Sequence, residues 1–231
     1  VVVETAAGQY FVKLRGAAQG TAALVAEVVV AELADRIGLP VPARRVVTFG
    51  PDLPTDDRND ELADLLAASL GENLGFQFLP AARPFVPADL GLVSADFAAH
   101  VRWLDWLVLN PDRSPANPNI MVEGRRLWLI DHGAALPFHH DWAAVTETTP
   151  LRAPLAVPHV LEAAVRELKE WDEILTRGLS WEAVEQSVAA VPDSFLQPLL
   201  PYGAGPDGLA RRRAAYSTLL WQRLSGPHSF S

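Results

Sequence analysis

The chain has 231 residues but only two lysines, against seventeen arginines, and one of the two stands in an awkward place. Lys13 sits inside YFVKL, an apolar run that reads as a strand, where a solvated ammonium is not expected. An edge strand with the lysine snorkelling outward would accommodate it. The next segment points elsewhere. AALVAEVVVAELADR lies in a helix expected from Thr21 to Ile37, stopped by Gly38, Pro40 and Pro42. Glu32, Asp35 and Arg36 share its wet face, whereas Glu27 lies about 140° from Glu32, on the apolar side. Each misplaced charge explains the other if strand and helix pack face to face, which their direct succession allows. A buried Lys–Glu pair is a poor stabiliser, so function is the better reason to keep one.

The surrounding pattern fits a small sheet with one helix, followed by a mainly helical remainder. VVVET and YFVKL read as a hairpin around Ala6, Ala7, Gly8 and Gln9. RRVVTF and GFQFL read as further strands, PDLPTDDRND as a surface loop, and Glu61 to Leu70 as a short helix. Three prolines between Leu79 and Asp89 mark a link. Helices are expected from Ala95 to Leu109, with Trp103 and Trp106 in the core, from Val160 to Arg177, after a capping Ser180, and from Asp207 to Leu224. Arg211, Arg212 and Arg213 read as a solvated helix face.

With 49% hydrophobic residues, the chain can bury a core as one large domain or two small lobes. A net charge of −9 and a pI near 5.1 argue against a general nucleic-acid or anionic-membrane surface. There is no cysteine, so disulfide and thiolate chemistry are excluded, and the cytosol is the expected setting. The most apolar stretch, LVAEVVVAEL, is broken by Glu27 and Glu32, and no membrane span is expected.

A second concentration of chemistry lies in LNPDRSPANPNIMVEGRRLWLIDHGAAL, from Leu109 to Leu136. Two strand-like runs, Ile120 to Val122 and Leu127 to Ile130, are flanked by Asp112, Asn117, Asn119 and Asp131. Unpaired carboxylates beside buried strands are costly, and a metal ion that favours hard oxygen ligands would compensate them.

The order of parts is a strand lysine, a helix glutamate, an Asp, an Asn five residues on, a strand pair and a second Asp. It resembles the protein-kinase-like fold. FVK, the acid in VAEVVVAELA, NPDR, NPN and IDHG carry the resemblance further, to the HipA-like kinase family in its compact bacterial form, from Gly8 to about His140. The helical tail matches only in character.

That resemblance implies an α+β, bilobal, protein-kinase-like fold. Residues 1–79 would form a small, mainly β lobe with one key helix, and residues 80–231 a mainly α-helical lobe carrying the catalytic loop. It implies an ATP- and Mg²⁺-dependent phosphotransferase acting on a hydroxyl acceptor, among them protein serine or threonine. Lys13 would contact the α- and β-phosphates and Glu27 would hold Lys13. Asp112 would accept or align the acceptor's proton, and Arg113 would brace the loop. Asp131 would hold the metal with either Asn117, favoured by spacing, or Asn119, favoured by the NIMV context.

Departures leave other classes open. His132 replaces the Phe of DFG. No GxGxxG loop precedes Lys13, GAAQG follows it instead, and a phosphate-covering loop is expected upstream of Val1. A nucleotide-binding scaffold without catalysis is one alternative. Another is a metal-dependent hydrolase, since His132, His139, His140 and Asp141 cluster near Asp131, although without the HExxH spacing.

Overall fold

The computed structural model describes residues 1–52, 60–152, 158–166 and 168–228. Its first part runs β1 (Val2–Thr5), β2 (Gly8–Lys13), α1 (Gly20–Arg36), β3 (Arg44–Phe49), α2 (Asp60–Ala67) and β4 (Gly71–Gln77). The second part holds β5 (Arg83–Pro84), α3 (Ala95–Leu107), β6 (Ile120–Glu123), β7 (Arg126–Leu129), α4 (Leu168–Gly178), α5 (Trp181–Ala189), α6 (Asp193–Leu196) and α7 (Gly208–Ser225). The result is a mixed fold with two small antiparallel sheets, in the orders β1-β2-β4-β3 and β5-β6-β7.

The β1–β2 hairpin closes over Ala6 and Ala7, with Thr5 paired to Gly8. The Thr5 hydroxyl accepts from the Ala7 N–H at 3.1 Å and donates to the Gly8 carbonyl at 2.9 Å. Gly8 has φ +118°, a conformation that only glycine adopts without strain.

Cross-strand register assigns the faces of the larger sheet. Phe11 pairs with Phe76 and Lys13 with Leu74, so these four side chains share one face. Leu74 and Phe76 belong to the main core, which also takes in α1, α3, β6, β7 and the later helices. Tyr10, Val12, Val47 and Phe49 point the other way and form a smaller core with Leu66 of α2.

Twelve of the seventeen residues of α1 are buried, the mark of a helix enclosed on all sides rather than lying on a surface. It packs on α5 and α6. Arg36, in its last turn, donates to Ser187 Oγ at 2.9 Å and to Gln186 Oε1 at 3.2 Å. Ser180 caps α5 as expected, accepting from the Ala183 N–H, and Ser94 caps α3 in the same way through the Phe97 N–H. Trp103 and Trp106 are core residues.

Three sequence expectations need adjustment. The last strand of the first sheet begins at Gly71 rather than Gly75. Gly75 sits within it because Val47 Cγ2 and Tyr10 Cβ would lie 2.7 and 3.2 Å from a Cβ there. The helix expected from Val160 begins only at Leu168, since the 3-10 turn Glu162–Ala164 runs into an extended Val165, ψ 133°, which breaks the helical path. The arginine run is not a uniformly solvated face: Arg212 lies over the Trp142 ring at 4.5 Å, and Arg213 bonds to the Val191 carbonyl and Asp193. Of the surface loop expected across PDLPTDDRND, residues 53–59 lie outside the described residues.

Candidate functional site

Lys13 leaves the end of β2 with its side chain a quarter exposed and is gripped by two carboxylates. Its Nζ lies 2.9 Å from Glu27 Oε1 and 2.5 Å from Asp131 Oδ1. The first contact is the one that sequence reasoning required; the second joins residues 118 apart in the chain. Burial works against the ammonium, but the charge of Glu27 and then of Asp131 outweighs it, so the Lys13 pKa lies above the ordinary lysine value.

Glu27 is 1% exposed, and burial pushes its carboxyl up despite the pull of Lys13 and of the His132 backbone. Neither of its oxygens has a well-aligned hydrogen-bond donor among the described residues, so the Lys13 contact is an ion pair rather than a directed bond. A Cβ on Gly133 would stand 3.5 Å from Glu27 Oε1 and 3.3 Å from Ala23 Cβ. The glycine of IDHG therefore lets the Asp131 loop lie against α1.

Asp112, Asn117 and Asn119 form a second group. Both amides donate to Asp112 Oδ2, from Asn117 at 2.9 Å and from Asn119 at 3.0 Å. Asn117 is exposed and Asn119 buried. The Asn119 carbonyl accepts from the Ile130 N–H at 3.0 Å and from Arg113 Nη1 at 2.6 Å. It thereby ties this group to the strand that ends at Asp131.

Arg113 does more than the expected bracing. It is buried, and besides Asn119 it reaches Asp105 Oδ2 at 2.7 Å through Nε and His132 Nδ1 at 3.3 Å through Nη2. Asp105 also receives Asn110 Nδ2 at 2.8 Å and His159 Nε2 at 3.0 Å. Burial alone would raise its pKa, but Arg113 and then His159 outweigh it and hold the carboxyl well below the usual range. Burial, followed by the Arg113 charge, brings the His132 pKa down to about 3, so this ring is a neutral acceptor for Arg113. Asp105, Asn110 and His159 were missed in the sequence. Asp105 carried the same signal as Glu27, a carboxylate inside an apolar helix.

An apolar cavity of about 450 Å³ opens beside Lys13. Phe11, Val12, Leu14, Pro42, Phe76, Met121 and Ile130 are among its lining residues with the chain from Gln77 to Leu79, and Lys13 and Asp131 are its charged side chains. Apolar walls with a few convergent polar groups are the usual make-up of a small-molecule site.

The histidines near Asp131 do not join in a metal centre. His132 faces Arg113, and His139 Nδ1 meets the Tyr216 hydroxyl at 3.1 Å. Among the described residues, no group of three His, Asp or Glu side chains stands close enough to hold an ion without further ligands. No helix among them is long and apolar enough to cross a membrane. A family model described as HipA-like kinase matches residues 4–150, more than half of the chain and all of both side-chain groups. No curated protein matches the chain.

Proposed function

The chain belongs to the HipA-like kinase family, and on that premise we propose that it is an ATP- and Mg²⁺-dependent phosphotransferase with a hydroxyl acceptor, protein serine or threonine being one such class. The observation that carries the reading is Lys13, held between Glu27 and Asp131 at an apolar cavity large enough for a purine. Residues 1–79 would grip the nucleotide and residues 80–231 would supply the catalytic loop.

The residues present fit both ligands. Apolar walls suit the base, and Lys13 suits phosphate oxygens. Asp131, half-exposed, can exchange the ammonium for a metal cation, with the exposed Asn117 amide as the second ligand in preference to buried Asn119. When bound, MgATP supplies the γ-phosphoryl group, and the metal neutralises its charge. Glu27 holds Lys13 in place. Asp112, aligned by the two amides, would take the acceptor's hydroxyl proton or orient it, while Arg113 keeps the loop in register through the Asn119 carbonyl.

ATP with Mg²⁺ should raise Tm more than either alone, since only the folded site binds the complex. Labelled γ-phosphate should pass to the chain itself, to a lysate protein or to a small alcohol. Stabilisation without transfer would favour the non-catalytic scaffold. Stabilisation by Zn²⁺ alone, lost on changing His139 and His140, would favour the hydrolase.

A further inference from the structure

Two buried titratable groups, Asp105 and His159, take no part in the chemistry just described, yet every branch of the catalytic loop leads to them. Asp105 stands on α3 in WLDWL and is 1% exposed. Its Oδ1 accepts from Asn110 Nδ2, and Asn110 Oδ1 in turn accepts from the Asp112 N–H at 3.1 Å. Its Oδ2 accepts from Arg113 Nε, and Arg113 goes on to the Asn119 carbonyl and to His132 Nδ1. One carboxylate thus governs the backbone on both sides of Asp112 and touches, through one guanidinium, the residue after Asp131.

His159 approaches this hub from a different part of the chain. Its Nδ1 accepts from the Leu161 N–H at 3.2 Å, so the ring proton lies on Nε2, which donates to Asp105 Oδ2 at 3.0 Å. The neighbouring Val160 N–H donates to the Arg113 carbonyl at 3.2 Å. The turn 159–161 is therefore fastened to the catalytic loop at two points. Arg113 already balances the charge of Asp105, so the His159 bond contributes direction rather than neutralisation.

We propose that His159 is a positioning residue for phosphotransfer: by completing the Asp105–Arg113 hub it fixes the loop that carries Asp112 and couples that loop to the turn 159–161. The inference rests on the phosphotransferase reading of Asp112. It separates two quantities that a merely structural role would move together. Lys13, Glu27 and the cavity stand apart from this hub, so loss of His159 falls on turnover first, and nucleotide affinity feels it only through the metal ligands Asn117 and Asp131.

The test uses the full chain with MgATP, measuring Kd by calorimetry, ADP formation at saturating ATP, and Tm. His159→Asn keeps an acceptor for the Leu161 N–H but does not reach Asp105. It should lower kcat roughly 10- to 100-fold, the usual cost of a lost orienting partner, with Kd within about twofold of wild type. His159→Gln places an amide N–H near the Nε2 position and should restore most of the rate. Ser180→Ala, which removes the N-cap of α5, should lower Tm without lowering kcat. Wild-type turnover with an undiminished rate in His159→Asn overturns the inference alone, as does a rise in Kd that accounts for the whole loss. Absence of turnover in the wild type overturns the phosphotransferase reading and this inference with it. If His159→Asn does not fold, His159→Gln decides: a rate near wild type supports the role, and a tenfold loss overturns it.

Discussion

Lys13→Met removes the only cation among the described residues that pairs with Glu27, and the consequence can be worked out from burial. At 1% exposure the orphaned carboxylate cannot recruit bulk water, and an unpaired buried charge costs about 3 to 5 kcal/mol. Protonation offers an alternative. In the unfolded chain Glu27 titrates near 4.5, so holding it neutral in the folded state costs about 1.36 kcal/mol for each pH unit above that value, or about 3.4 kcal/mol at pH 7. The lower of the two costs applies. Relief of the burial of Lys13 itself offsets part of it, leaving a loss of about 2 to 3 kcal/mol at pH 7.

The sign of the pH dependence follows. A folded carboxyl whose pKa lies above its unfolded value binds protons more readily than the unfolded chain, so its stability contribution is intact below 4.5 and is lost as pH rises. Urea unfolding at pH 5, 6 and 7 should show Lys13→Met approaching wild type at pH 5 and falling away by pH 7. Lys13→Met with Glu27→Leu should recover the stability, because no charge is left buried, while phosphotransfer stays lost. Parallel curves for Lys13→Met and wild type across that range would refute the argument, since Glu27 would then not depend on Lys13.

Asp131→Asn should weaken Mg²⁺-dependent ATP binding as well as turnover. Asp112→Asn should leave ATP affinity nearly unchanged and cut the chemical step by roughly a hundred- to ten-thousand-fold, and titration of both variants with MgATP checks the contrast. His139, brought down to about 3 by burial and the neighbouring His140, stays neutral while the unfolded chain protonates near 6.5. Wild type should therefore lose stability as pH falls below about 6.5, by about 2 kcal/mol at pH 5 from this residue, and His139→Phe should lose less in urea melts. Gly75→Val places a Cβ 2.7 Å from Val47 Cγ2 and should destabilise by about 1 to 3 kcal/mol, read as a lower urea midpoint.

The Lys13–Glu27 pair was legible because each charge contradicts its local pattern, and a contradiction of that kind has few resolutions. Asp112, Asn117, Asn119 and Asp131 were legible through their order and spacing. The contact of Asp131 with Lys13 was not, since it depends on how the second sheet docks against α1, which no local pattern encodes. His159 was hidden for a related reason. Its neighbourhood reads as helix, and only the folded chain shows the extended Val165 that breaks it and the return of Val160 to the Arg113 carbonyl. Asp105 could have been found. It lies between Leu104 and Trp106 as Glu27 lies between Ala26 and Val28, and the same argument would have asked which cation it meets.

Backbone conformation adds an independent reason to place the chemistry in this stretch. The four non-glycine residues with positive φ among the described residues are Leu109, Asn119, Asp131 and Leu136, all within the segment from Leu109 to Leu136. Such conformations cost roughly 1 to 3 kcal/mol each, least for Asn and Asp. Leu109 and Leu136 have no polar side chain to ease them. Both are buried in the core, and the Leu136 N–H bonds to the Val108 carbonyl at 2.8 Å, so the two ends of the segment are pinned together. Core burial at the ends and the Arg113–Asp105 hub beneath offset that strain. What the arrangement gains is a half-exposed Asp131 and an Asp112 that accepts from two amides. A fold selected for stability alone would have little use for either.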